Sequence, residues 1–346
     1  MTDRLGIVTQ YNGSDATQAA ILLADHAQLS GVPVSCFAVG TPNRFVDSRW
    51  DSRIIVESKQ HFTDWAQRHT RILWTHVPNP GEVLFAQELG VQTAILLEGS
   101  HLDPDDGESL REVDKLLSIN RFVGRLVQDY WNIPKKSFVY MPLAFPTVPA
   151  SRSISSRRIF WATHTSQAEY TPIIIFDLLR ELLEQDESIE LVVSYSACFD
   201  NKAYRKFRSL RALGESRVRV FRRPERTFQR RLMSEATLTL SPALSDSFGI
   251  VGLSSLSVGT PVLSWNAKPQ NEYLSNGVNS VLVSASMERR GLAAIFVRRE
   301  MQDLIKVVSD VLKNETQLCK MRKCAIDTSR EREKQFAAGW EKWLKS

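Results

Sequence analysis

Cysteine is scarce in this chain of 346 residues. Cys36, Cys198, Cys319 and Cys324 are the whole supply, and they lack the paired spacing that holds zinc. A disulfide-stapled scaffold and a zinc ribbon are therefore excluded, and free or buried thiols in a reducing compartment are expected. Long apolar runs are missing as well. No stretch of about 18 apolar residues occurs, so no transmembrane helix is expected. The opening MTDRLGIVTQ goes straight into a β-prone stretch without a leader pattern, which sets the expectation of a cytoplasmic protein. The glycine fingerprint of dinucleotide-binding dehydrogenases is absent too, since Gly13 stands alone in the first loop. Asp103, Asp105 and Asp106 make an acidic loop without ion-coordinating spacing, so neither a metal nor a cofactor is expected.

What is present is an ordinary globular composition, 43% hydrophobic and 24% charged, on a chain long enough for two cores. Strand-like apolar runs at Leu5–Thr9, Val34–Val39, Arg53–Glu57, Ile72–Thr75, Gln92–Leu97, Lys115–Ile119 and Ser137–Met141 alternate with helical stretches such as Ala16–Leu29. That alternation predicts a parallel sheet covered on both faces. Pro142–Arg158, with three prolines and four serines, breaks the pattern and reads as a linker. A second series follows: strands at Ile159–Ala162, Ile189–Tyr195 and Val218–Phe221, with helices at Pro172–Leu183 and Thr227–Ser234. Met301–Leu312 is amphipathic. Arg330–Leu344 carries Phe336, Trp340 and Trp343 at helical spacing. The predicted organisation is a first α/β domain over 1–145, a linker over 146–157, a second α/β domain over 158–328 and a terminal helix over 329–346. Residues 284–299 have no assigned role.

The second series converges on Ser241–Ser264, SPALSDSFGIVGLSSLSVGTPVLS. A strand ends at Ser241, and Asp246 and Ser247 have the chemistry of helix caps. Gly249 lets backbone approach a ligand without a Cβ in the way. Ile250, Val251, Leu253 and Leu256 recur at helical spacing, and Gly259 and Pro261 end the helix. A helix N-terminus opening from a glycine-containing loop after a parallel strand is an anion site.

This run resembles the donor-binding segment of retaining GT-B glycosyltransferases, family 4 type. There an acid, one residue, Phe-Gly, four residues and a second acid precede a short helix ending in Gly-x-Pro-Val. Asp246, Phe248, Gly249, Gly259, Pro261 and Val262 match. The first acid is Asp rather than the usual Glu, and the second position holds Ser254. The family's Arg and Lys after the first strand of this domain are also missing; FWATHTSQAEY offers Thr163 and His164 there. The motif detail covers roughly 158–283, and over the first half only the order of elements agrees.

The resemblance implies a GT-B fold: two Rossmann-like α/β domains facing a cleft, the first for acceptor and the second for donor, with the C-terminal helix crossing back to the first. It implies transfer from a UDP- or GDP-sugar to an acceptor hydroxyl, with retention and without metal. Phosphates would lie at the N–H groups of Phe248, Gly249 and Ile250, beside Ser247. Asp246 would accept from sugar hydroxyls, and Ser254 would reach the ribose. His101, in EGSHLDPDD, would face the donor sugar. Gly13, with Asn12, would let the first loop approach the diphosphate. Arg222, Arg223 and His164 are the candidate replacement cations, with Lys268 a further one, and His76 is a candidate acceptor contact. The acceptor is a glycan, a small molecule or a nucleic acid.

Charge is uneven. Residues 202–231 hold twelve Lys or Arg against two Glu, although the whole chain nets only +5. Such a stretch suits phosphate-rich partners: the nucleotide sugar, a nucleic acid or an anionic membrane surface. Two further expectations follow, a GT-B-like binding protein without catalysis and a transferase acting on nucleic acid through this segment.

Overall fold

The computed structural model describes residues 4–10, 15–39, 54–56, 61–97, 102–148, 157–163, 173–195, 201–214, 216–222, 225–243, 248–284, 286–290, 294–298 and 301–346. The chain divides into two compact units. One takes the chain to Leu143 together with Gln335–Ser346; the other takes Ala144–Arg290 and Ala294–Lys334.

The first unit runs β1 (Leu5–Gln10), α1 (Asp15–Leu29), β2 (Val34–Val39), β3 (Ile54–Val56), α2 (Phe62–Ala66), β4 (Arg71–Trp74), α3 (Pro80–Glu88), β5 (Gln92–Leu97), α4 (Gly107–Glu112), β6 (Lys115–Ser118), α5 (Arg121–Trp131) and β7 (Phe138–Tyr140). Its strands pair in parallel in the order β3-β2-β1-β4-β5-β6-β7. The strands are near-continuous apolar runs because both faces are covered. Val8, Phe37, Trp65, Trp74, Ile95 and Val127 share one core. Local signals agree with the elements. Asn120 caps α5 by accepting from the Val123 N–H at 2.7 Å, and Asn132 closes it in the left-handed region at φ 53°.

The second unit runs β8 (Arg157–Thr163), α6 (Ile173–Gln185), β9 (Ile189–Tyr195), α7 (Asn201–Arg211), β10 (Val218–Arg222), α8 (Arg226–Ser234), β11 (Leu238–Leu240), α9 (Ile250–Ser257), β12 (Val262–Trp265) and β13 (Ser280–Val283). These strands are also parallel, in the order β10-β9-β8-β11-β12-β13. The direction of strand addition reverses between β8 and β11, and ligands meet such sheets at the carboxyl ends beside that reversal. Trp161, Phe176, Leu182, Val193, Leu263 and Trp265 anchor its core. A hairpin, β14 (Ser286–Arg290) and β15 (Ala294–Arg298), occupies the stretch that the sequence leaves without a role. α10 (Met301–Lys313) and α11 (Glu315–Leu344) complete the chain.

α11 starts at Glu315, fifteen residues before Arg330, where the sequence pattern places its start, and serves both units. Its last part lies on the first unit. Phe336 and Trp340 meet the His26 ring edge-on at 4.6 and 5.1 Å, and Arg71 donates to the Trp343 carbonyl. Gly339 is small for a reason: a Cβ there would fall 2.5 Å from the Tyr140 carbonyl oxygen. The described part of the expected linker is held by the second unit. Thr147 N–H donates to Glu333 at 2.8 Å, Val148 N–H to the Ser257 carbonyl at 2.8 Å, and Phe145 is buried beneath Arg226.

Candidate functional site

β11 ends at Leu240, next to β8 and β12, and the chain from it leads into α9. Gly249 begins that helix at φ 66° and ψ 26°, the left-handed conformation that a glycine adopts without penalty. The first N–H groups of an α-helix have no intrahelical acceptor, so α9 presents donors and the positive end of its dipole at the carboxyl edge of the sheet. Phe248 is buried at 2% exposure and fixes the entry to the helix.

The surroundings of Gly249 include two residues that sequence reading does not single out. A Cβ on Gly249 would fall 2.7 Å from Tyr273 Cζ and closer still to the phenol oxygen, and one on Gly252 would meet the same ring at 3.1–3.2 Å. Tyr273 thus lies over the first turn of α9 and is only 8% exposed. The Arg332 guanidinium stacks on its ring at 5.2 Å. Gly249 is glycine because of φ and of Tyr273 as well as any ligand. Nothing in NEYLSNG or in SREREK announces a partner for α9; the contact exists only once β12 and α11 are in place.

Ser254 sits one turn into α9, 6% exposed, among serines with structural work. Ser255 Oγ donates to the Thr260 carbonyl at 2.8 Å and is hydrogen-bonded to the Thr239 hydroxyl at 2.7 Å; Ser257 Oγ donates to the Ser254 carbonyl at 2.7 Å. Lys268 is half-buried on the segment after β12, the strand beside β11, and on the same loop as Tyr273. Arg222 is exposed at the end of β10, the outermost strand. Three strand spacings separate β10 from β11, about 14 Å, so Arg222 is not brought together with Gly249. Asp246, Ser247, His101, Gly13, Asn12, His164 and Arg223 lie outside the described residues.

In the first unit, Thr75 Oγ1 donates to Thr9 Oγ1 at 2.9 Å, joining β1 and β4 at their carboxyl ends, with His76 next in the chain. The acidic loop is occupied with its own backbone. Asp103 accepts from Asp105 N–H at 3.2 Å, and Asp106 accepts from Asp103 N–H at 2.7 Å, a reciprocal cap on the turn Pro104–Asp106. Burial raises the Asp106 pKa despite that hydrogen bond.

Part of the basic segment is employed by the fold itself. Lys206 pairs with Asp177, and Arg231 with Glu235 at 3.1 Å. Arg217 donates to the Leu183 and Asp186 carbonyls at 2.5 and 2.9 Å. Arg230 donates to the Pro146 carbonyl and to Ser257 Oγ. Arg205 and Arg208 remain on the outer face of α7 with Tyr204, all exposed.

No family model matches this chain, and no curated protein matches it in sequence. Solved structures do match it. The pneumococcal O-GlcNAc transferase GtfA, in complex with UDP and GlcNAc, is similar over 100% of this chain and 99% of its own, with a TM-score of 0.77 at 8% identity. Anabaena HepE in complex with UDP-glucose is similar over 99% of this chain and 100% of its own, with a TM-score of 0.74 at 12% identity. The lipopolysaccharide outer core galactosyltransferase WaaB, in its apo form, covers 98% of this chain and 99% of its own, with a TM-score of 0.64 at 13% identity. At these identities the likeness is one of fold, and the fold is GT-B: two Rossmann-like α/β units with the C-terminal helix returning to the first.

Proposed function

We propose that the chain is a glycosyltransferase of the family 4 type that moves a sugar from a nucleotide-sugar donor to an acceptor hydroxyl. The observation that carries this reading is Gly249, which opens α9 in the left-handed conformation at the strand-order reversal of the second sheet. The donor diphosphate would lie on the N–H groups of Phe248, Gly249 and Ile250, with Ser247 beside it. Half a unit of helix-dipole charge cannot balance a diphosphate. Lys268 and Arg332 are on the elements around Tyr273 and supply further positive charge; His164 is a third source. Arg222 and Arg223 suit the far, base end of the nucleotide better than its phosphates. Asp246 accepts from sugar hydroxyls, Ser254 from the ribose, and His101, Gly13 and His76 contribute from the first unit. Transfer with retention, without metal, in the cytoplasm, on a UDP- or GDP-sugar, is the fuller form of the reading. It rests on leaving-group stabilisation and positioning rather than on a protein nucleophile.

One observation favours a second reading, a nucleotide-binding GT-B protein without turnover: Ser254, a neutral hydroxyl, is buried where the resemblance calls for an acid. A thermal-shift series with UDP, GDP and their sugars tests both. At a hundredfold excess over Kd a ligand stabilises the fold by about 2.7 kcal/mol, which is about 5–10 °C at this size. No shift with any nucleotide would overturn both readings. A shift with release of nucleotide diphosphate from the sugar donor supports the enzyme; a shift without release supports the binding protein. Asp246→Ala should weaken the sugar nucleotide by roughly 1.5–3 kcal/mol while leaving the plain diphosphate nearly unchanged.

A further inference from the structure

The first unit carries a second constellation of reactive side chains, at the amino-terminal edge of its sheet. Thr9, Thr75 and His76 are at the opposite edge. Ser35 is the second residue of β2, and His69 stands two residues before β4. Opposite Ser35 in the strand register is Gly6. A Cβ on Gly6 would fall 2.5 Å from Trp65 Cη2 and 3.1 Å from His69 Cγ, so its missing side chain makes room for both rings. The two rings lie 4.2 Å apart, centroid to centroid.

The hydrogen bonds fix the tautomer of His69. Nδ1 is 2.7 Å from the Trp65 carbonyl oxygen, which only accepts, so Nδ1 carries the proton. Nε2 is therefore a bare acceptor, 2.7 Å from Ser35 Oγ, and Ser35 donates to it. Trp65 Nε1 donates to the same oxygen at 3.0 Å and holds it in place. Both Ser35 and His69 are half-buried rather than sealed. Burial lowers the His69 pKa, the bond to Trp65 partly offsets this, and Arg68 and Arg4 lower it further. The imidazole is thus neutral at pH 7, and two guanidinium groups are close enough to act on its charge.

A hydroxyl within hydrogen-bond reach of a neutral imidazole, itself oriented by a third group, is the arrangement that activates a nucleophile. We propose that Ser35 is an activated nucleophile with His69 as its general base, and that this cluster takes small activated esters and phosphonyl electrophiles. As Ser35 Oγ bonds to the acyl carbon, its proton passes to His69 Nε2. The bond from that carbon to the leaving oxygen then breaks, and Nε2 returns the proton to it. Water repeats the sequence on the acyl-serine, releasing the acid and regenerating Ser35. The site is independent of α9, on another unit and with other chemistry.

The test is covalent labelling of the full chain with a fluorophosphonate probe, read by mass spectrometry of the digest. Labelling forms the Oγ–P bond, breaks P–F and releases fluoride, with the proton taken by His69. The expected result is an adduct on Ser35, lost in Ser35→Ala. His69→Gln keeps an acceptor for the Ser35 hydroxyl but no base, and should slow labelling by about a hundredfold. Labelling of the wild type should also fall as acid protonates His69, which needs no variant to fold. An unlabelled Ser35, a His69→Gln rate equal to wild type, or labelling indifferent to pH from about 7.5 to about 4.5 would each overturn the proposal.

Discussion

Gly249→Ala is the perturbation that separates what the fold asks of this glycine from what a ligand asks. Two costs are legible in the geometry. A residue with a Cβ at φ 66° incurs the left-handed penalty, roughly 1–2 kcal/mol. The new methyl also meets the Tyr273 ring, which cannot swing away because it is buried and covered by Arg332. Overpacking of that kind costs about 1–3 kcal/mol. The total is roughly 2–5 kcal/mol, or about 4–20 °C in Tm for a unit of this size. In a Tyr273→Ala background only the backbone penalty remains. Urea unfolding of the four chains of this cycle should therefore return a coupling of about 1–3 kcal/mol between residues 249 and 273. Coupling below about 0.5 kcal/mol, the level of additive sites, would refute the steric reasoning. Gly249→Val would confuse the two questions. A β-branched residue at positive φ is strained outright, so lost nucleotide binding would follow from lost structure.

The stability of the first unit should depend on pH through His26 and His69. Burial lowers both pKa values from 6.5, so the fold prefers the neutral rings. Above that value both states are neutral and pH has no effect through these groups. Below it the unfolded chain takes up protons first, and stability falls until the folded values are reached. Tm measured across this range should drop in the wild type and flatten in the His26→Gln, His69→Gln double variant. Arg322 is 6% exposed and donates to the carbonyls of Ala236 at 2.9 Å and Ser234 at 3.2 Å, with burial lowering its pKa. Arg322→Met should cost about 1.5–3 kcal/mol in urea unfolding, because two carbonyls at the end of α8 lose a charged donor.

Element order was readable because parallel strands buried on both faces are written as apolar runs. Val34–Val39, Gln92–Leu97 and Ile189–Tyr195 match β2, β5 and β9 end for end. α7 is not legible in the sequence, because NKAYRKFRSLR is dominated by its charges and only Phe207 and Leu210 are buried among its described side chains. The stretch of α11 before Arg330 is not legible in the sequence, because its buried side chains mix apolar Leu318, Met321 and Ala325 with polar Arg322 and Ser329 and carry no aromatic marker. The candidate site was legible where it depends on one segment, as at Gly249. It was illegible where it depends on segments far apart in the chain. Tyr273 meets α9 from 24 residues downstream of Gly249, Arg332 stacks on Tyr273 from 83 residues downstream, and no local pattern encodes either meeting.

The division of α11 between the units has a consequence for biosynthesis. Gln335–Ser346 belongs to the unit that Met1–Leu143 begins, so that unit is discontinuous in the chain. A ribosome adding about 5–20 residues per second needs roughly 10–40 s to travel from Leu143 to Trp343. During that time the side of α1 that bears His26 waits for Phe336 and Trp340, its apolar neighbours exposed to whatever else is in the cell. The unit whose synthesis starts earlier is thus completed after the other, and that interval is where a chaperone would find it.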